Sequence, residues 1–143
     1  MLRVALAVTL AAAILAVALP VIETGGVQHS DQRVAAELDR LETVAETLAA
    51  RNDPPPAGVT GARQRVTVQL PVEGWGTAGI EQFAVEPGNQ AVRWRVTGGA
   101  EQVRRLTAVV LAGNSLRLDE GGPHRLQLTL RPDGSVRISR PDV

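Results

Sequence analysis

Two histidines, His29 and His124, are the only side chains of this 143-residue chain that can act as neutral bases near pH 7. Hydroxyl-based nucleophilic catalysis needs such a base beside a serine presented on a sharp turn. His29 follows the Gly25-Gly26 pair, His124 follows Gly121-Gly122-Pro123, and neither stands near a recognisable nucleophile elbow. Cysteine is absent, which removes disulfides and thiolate metal sites together. The adjacent acids Asp119-Glu120 read as a solvated turn rather than a cation site, since hard cations need several clustered oxygen ligands. The glycine-rich stretch EGWGTAG (73–79) lacks the lysine and the strand-to-helix context of a phosphate loop, and reads as a flexible surface loop around Trp75. No catalytic, cofactor-binding or metal site is expected, and the chain does not read as an enzyme.

Arginine is the one residue type whose placement suggests chemistry. All fifteen basic side chains are Arg. Arg65, Arg93, Arg95, Arg117 and Arg137 fall on the polar phase of alternating segments, which predicts one wet sheet face able to fork onto carboxylates or phosphates. The same pattern also fits a solubilising surface. Nucleic acid is not an expected partner, because aromatic stacking platforms are lacking.

Those arginines must be positioned by strands. From residue 63 onward the hydrophobic period is two: Val66, Val68 and Leu70; Val92, Trp94 and Val96; Leu126, Leu128 and Leu130; Val136 and Ile138. Phe83 with Val85, and Leu116 with Leu118, suggest two more strands, while 103–111 is ambiguous between strand and helix. Pro87-Gly88-Asn89, Gly121-Gly122-Pro123 and Pro132-Asp133-Gly134 are placed to close hairpins, so the expectation is a small antiparallel β domain over 63–143. The aromatics are only Trp75, Phe83 and Trp94, so its core must be largely aliphatic.

Upstream, the period changes to that of a helix. Val34, Leu38, Leu41, Ala45 and Leu48 recur at spacings of 4, 3, 4 and 3, an apolar seam that could pack on the β domain or on a partner helix. Ser30 or Asp31 is placed to cap its start, and Asn52-Asp53 before Pro54-Pro55-Pro56 to end it. The prolines and Gly58 predict a stiff linker over 54–62. Residues 23–53 form the joint and amphipathic helix, with a bend or break expected at 20–29 around Gly25-Gly26.

Val4 to Ile22 is nineteen residues without a charge, a helix of roughly 28 Å that matches a hydrocarbon core. Arg3 precedes it and Glu23 follows it, which predicts a cytoplasmic N-terminus and an extracytoplasmic remainder. A signal peptide cut after Ala16-Val17-Ala18 is the competing reading of residues 1–22, and it too exports the rest of the chain. Charge is unevenly spread: 23–53 hold seven acids against three Arg, a net of −4, and 54–143 hold eight acids against eleven Arg, a net of +3.

The fold expected is therefore α+β: an N-terminal transmembrane helix, an amphipathic helical stalk and a small antiparallel β-sheet domain. This order of parts resembles a type IV pilin-like or minor pseudopilin subunit. The stretches RVAAELDRLETVAETLAA (33–50) and GARQRVTVQLP (61–71), with the Lys-free composition, are similar to small membrane proteins of haloarchaea that form a domain-of-unknown-function family. The resemblance implies a structural or assembly subunit of a pilus-like or secretion system, in the cell membrane, with other such subunits as partners and no cofactor. The alternative is a secreted or anchored module whose Arg face holds acidic surface polymers.

Overall fold

The structure is a computed structural model that describes residues 2–141, and of residues 17–23 the backbone alone. Among the described residues an α-helix, α1 (Leu2–Arg51), precedes eight strands: β1 (Arg63–Leu70), β2 (Ile80–Glu86), β3 (Ala91–Val96), β4 (Gln102–Arg105), β5 (Leu111–Ala112), β6 (Leu116–Leu118), β7 (Gly122–Leu130) and β8 (Val136–Ser139), with a short 3-10 helix (Pro87–Asn89) between β2 and β3. The strands form two four-stranded sheets, ordered β1-β7-β8-β5 and β4-β3-β2-β6. The fold class is α+β and the pairing is antiparallel except for β5 with β8, which is parallel.

The inward residues of both sheets and of α1 make one aliphatic core. Val68 and Leu70 of β1 meet Leu126, Leu128 and Leu130 of β7, with Phe83, Val92, Trp94 and Val96 supplied by the other sheet. A register shift between Ile80 and Gln82 lets β2 turn both Ile80 and Phe83 inward, which strict alternation would forbid. The third wall is the helical seam: Val34, Leu38, Leu41, Ala45 and Leu48 are all buried in this cluster.

Polar groups at the flanks of the seam explain why the helix lies where it does. β1 is an edge strand, whose outer N–H and C=O groups would otherwise be open to pairing with another chain. Glu37 accepts from the Gln69 N–H at 3.1 Å, and Arg40 donates to the Thr67 carbonyl. On the other side Arg104, from the edge strand β4, binds Asp39, Glu42 at 2.9 Å and the Ala35 carbonyl at 3.3 Å. α1 thus bridges an edge of each sheet and closes the open side of the core.

Several expectations change. Helix α1 is not interrupted at 20–29: it runs through Pro20, Gly25 and Gly26. Gly26 serves close approach instead, since a Cβ there would lie 3.2 Å from the Gly76 carbonyl carbon. Ser30 and Asp31 are not caps but mid-helix residues turned onto the head. Ser30 donates to the Ala78 carbonyl at 2.7 Å, and Asp31 accepts from the Trp94 indole N–H at 3.1 Å. The 54–62 segment does not hold a stalk away from a head, because the helix it follows is part of the head's core; Leu130 N–H donates to the Ala62 carbonyl at 2.9 Å, folding the segment back.

The Gly121-Gly122-Pro123 turn is not a hairpin. β6 pairs with β2 and β7 with β1, so this turn carries the chain from one sheet to the other. Residue 121 passes so near Pro71 that a Cβ would sit 2.4 Å from its carbonyl oxygen, which demands glycine. Segment 103–111 is strand at β4, then loop, then the start of β5. Gln90 pins that loop: it holds a left-handed backbone (φ 51°) while its amide accepts from the Leu111 N–H at 2.7 Å and donates to the Leu111 carbonyl at 2.8 Å.

Candidate functional site

The expected single arginine face is divided between the two sheets. Arg93 and Arg95 on β3 and Arg117 on β6 belong to one sheet, Arg65 on β1 and Arg137 on β8 to the other. On the first sheet the charges are largely paired. Arg93 pairs with Glu86 at 3.0 Å and Glu101 at 3.8 Å, and Arg117 with Asp119 at 2.7 Å. A hydrogen bond from Asn89 and the Arg93 guanidinium hold the Glu86 carboxyl below the usual carboxylate range. Arg95 is exposed.

On the second sheet the arginines concentrate. Register places Arg63, Thr129 and Arg137 in one row across β1, β7 and β8, Arg65, Gln127 and Ser139 in the next, and Arg125 opposite Thr67. Arg63, Arg65, Arg125 and Arg137 are all exposed. Strand spacing puts these guanidiniums on a patch roughly 10 Å across and about 7 Å or more along the strands. No acid occurs within β1, β7 or β8, and among the described residues none of the four arginines is in an ion pair. Arg63 and Arg125 escaped the sequence reading because only side-by-side alternation was visible there. Which strands are neighbours decides the patch.

Of the two packings open to the seam residues Val34, Leu38, Leu41, Ala45 and Leu48, the structure has the one on the chain's own β domain. Their apolar surface is already buried against the head. The surface left uncovered lies at the other end of the same helix. Leu2, Val4, Leu6, Val8, Leu10, Ile14 and Leu15 are each at least 60 % exposed, and at 100° per residue they spread over about two thirds of the circumference, with exposed Ala5, Ala12 and Ala16 in the remaining arc. A helix apolar on every side is ordinarily buried in a core or a membrane. Among the described residues no helix is long and apolar enough to cross a membrane. The second part of the expected 4–22 span, from residue 17 on, falls outside the residues whose side chains are described.

Residues 73–79 are not a loose loop. Gly74 and Thr77 exchange two backbone hydrogen bonds, at 3.1 and 3.2 Å, closing a tight turn with Trp75 and Gly76 at its tip. Gly76 takes φ 67°, the conformation such a turn asks of glycine. An open cleft of 510 Å³ is lined by this turn and by Thr24, Gly26 and Val27 of the helix, beside the Gly26–Gly76 contact.

A second open cleft, of 530 Å³, is lined by Asp119, Glu120, His124, Arg125 and Arg140. His124 Nε2 lies 2.7 Å from the Glu120 carbonyl, so one ring nitrogen is engaged with backbone. His29 is exposed on the helix. Among the described residues no three His, Cys, Asp or Glu side chains cluster as a metal site would require. The two histidines lie on different elements, His29 on α1 and His124 on β7.

No curated protein and no solved structure matches the chain. The expectation of a domain-of-unknown-function family is met: the family described as Domain of unknown function (DUF7311) matches residues 1–140, and the chain belongs to it.

Proposed function

We propose that the chain is a non-enzymatic, single-pass membrane subunit with its N-terminus in the cytoplasm and its β head outside, and that it serves as a structural or assembly component of a pilus-like or secretion system. The observation that supports this reading is the division of one continuous helix into a half docked on the head and an apolar half covered by none of the described residues. Seven exposed Val, Leu and Ile side chains at about 1.5–3 kcal/mol each would gain on the order of 10–20 kcal/mol from being covered. A bilayer supplies that cover for the single chain, and neighbouring copies of the helix supply it in an assembly.

The rod also suits load transfer. A pull on the N-terminal half is passed to the head through a buried seam and the Arg104 and Glu37 contacts rather than through a flexible hinge. Flotation of the full chain with lipid vesicles, followed by mass analysis, tests the anchor. The expected result is a vesicle-bound chain still carrying Arg3; a soluble chain beginning at Leu19 would overturn it. Co-purification with an assembly ATPase or platform protein tests the assembly role.

One observation favours a second reading, an anchored or secreted binding module for acidic surface polymers: the unpaired cluster Arg63, Arg65, Arg125 and Arg137. Retention of the chain on an immobilised polyanion, lost with rising salt and lost in the fourfold Arg→Gln variant, would favour it over the assembly role.

A further inference from the structure

Trp75 is 96 % exposed in a chain whose other two aromatics, Phe83 and Trp94, are 0 % and 6 % exposed. A large ring left in water forgoes a burial that a core so poor in aromatics could have used. The turn that carries it is well built, closed by the paired hydrogen bonds between Gly74 and Thr77, and seated on α1 through the Gly26–Gly76 contact. The wider loop is closed in turn by the Ile80 N–H donating to the Pro71 carbonyl at 3.0 Å. The backbone that presents Trp75 is therefore a closed turn docked on the helix, with the ring projecting into solvent.

Its place along the helix is what matters. Gly26 is four residues, about 6 Å of helix rise, beyond Ile22, the last residue of the uncharged run. Among the described residues the head meets this part of the helix at Gly26 with Gly76 and at Val27 with Gly98 and Gly99. The 73–79 turn is thus the part of the head beside the outer end of the apolar run. Val72, on the same loop, is also exposed. Tryptophan favours the headgroup level of a bilayer, where its ring is buried and its N–H stays wet.

We propose that the Trp75 turn is a lipid-interface contact: the head rests on the outer leaflet with Trp75, supported by Val72, inserted at headgroup depth. The inference rests on the anchor reading above and adds a second point of attachment that orients the head. The occupant is lipid rather than another copy of the chain because the turn lies level with the emergence of the helix, where any anchored chain meets headgroups before it meets a neighbour. The helix holds the ring at high effective concentration beside the surface, so a weak contact suffices. Charge does not drive it. Glu73 is the only charged residue in 71–79, and Glu23, Asp119 and Glu120 lie on the adjoining segments, so zwitterionic lipid is the suited surface.

The test uses the full chain in phosphatidylcholine vesicles, with Trp75→Ser as the reference that isolates the Trp75 emission from that of buried Trp94. Flotation comes first, and failure of both proteins to float would sink the anchor reading and this one with it. For chains that float, phosphatidylcholine brominated near the headgroup end of its acyl chains should quench most of the Trp75 emission, and added acrylamide should quench little of it. Trp75 emission that is open to acrylamide and untouched by the brominated lipid would refute the contact while leaving the anchor standing. Emission shielded from both quenchers would also refute it, and would show that a second copy of the chain covers the ring. Replacing phosphatidylcholine by phosphatidylglycerol should not strengthen the quenching; a strong gain would contradict the charge-independent contact.

Discussion

Leucines 10 and 38 lie on the same helix, yet one is 62 % exposed and the other 1 %. Truncating each to alanine separates the two halves of α1. Leu38 contributes to the wall of the core opposite the sheets, and losing its side chain removes the equivalent of three methylene groups, about 2.4 kcal/mol at ~0.8 kcal/mol each. A cavity term adds to this, because two sheets and a helix tied at both edges cannot collapse freely onto the gap, so the total is about 3–4 kcal/mol. That is a large part of the roughly 5–15 kcal/mol by which a domain is stable. At roughly 3–6 °C per kcal/mol for a domain of this size, Leu38→Ala should lower Tm by on the order of 10–20 °C. Leu10→Ala, with no packing on the head to lose, should leave head unfolding within about 0.5 kcal/mol of the parent. Equilibrium denaturation of the full chain in mild detergent, followed by the emission of buried Trp94, measures both. Equal small effects would mean that 34–48 is not part of the head's core, and the account of α1 as its third wall would be wrong.

Gly25 and Gly26 make a paired test of whether the glycines are a joint. A Cβ at Gly25 meets nothing within 4 Å, so Gly25→Ala should stabilise the chain by about 0.5–1 kcal/mol through helix propensity, whereas Gly26→Ala should forfeit that gain against the Gly76 backbone. A double-mutant cycle between Arg104 and Glu42, with side chains 29 % and 15 % exposed, should give a coupling of about 1–2 kcal/mol, above the ~0.2–1 kcal/mol expected for the exposed Arg117–Asp119 pair. The carboxyls of Glu86 and Asp133 are both held below their ordinary range, the first by Asn89 and Arg93, the second by the Ser135 hydroxyl and N–H. Depressed values mean that both groups contribute stability above the ordinary carboxylate range and lose it as pH falls through their folded-state values. Acid titration by NMR should therefore show these two carboxyls protonating after the exposed acids, and the turns at 87–90 and 131–135 loosening with them; ordinary midpoints would refute the assigned hydrogen bonds.

Much of the fold could be read locally. Strands appear at the period-two runs around Val68, Trp94, Leu128 and Ile138, because alternation is a property of a strand and the single surface it buries. The spacing of Val34, Leu38, Leu41, Ala45 and Leu48 is likewise a local record of one helical face, although it does not say what that face meets. The apolar composition of 4–22 is also plain from residue types alone.

What the tertiary structure decided is everything that depends on which distant segments are neighbours. Polar phase marks Arg65, Arg93, Arg117 and Arg137 as outward-facing, but only strand order separates them onto two sheets and joins Arg63 and Arg125 to the unpaired set. Glycine propensity at 25 and 26 argues for a break, and the close approach of Gly76 at residue 26 supplies a reason for glycine that a helix can keep. The turn at 121–123 carries hairpin chemistry yet crosses between sheets, since β6 finds its partner in β2, thirty residues or so upstream. Local preferences at these positions are worth about 1 kcal/mol, while the packing that overrides them draws on a core shared by the helix and both sheets.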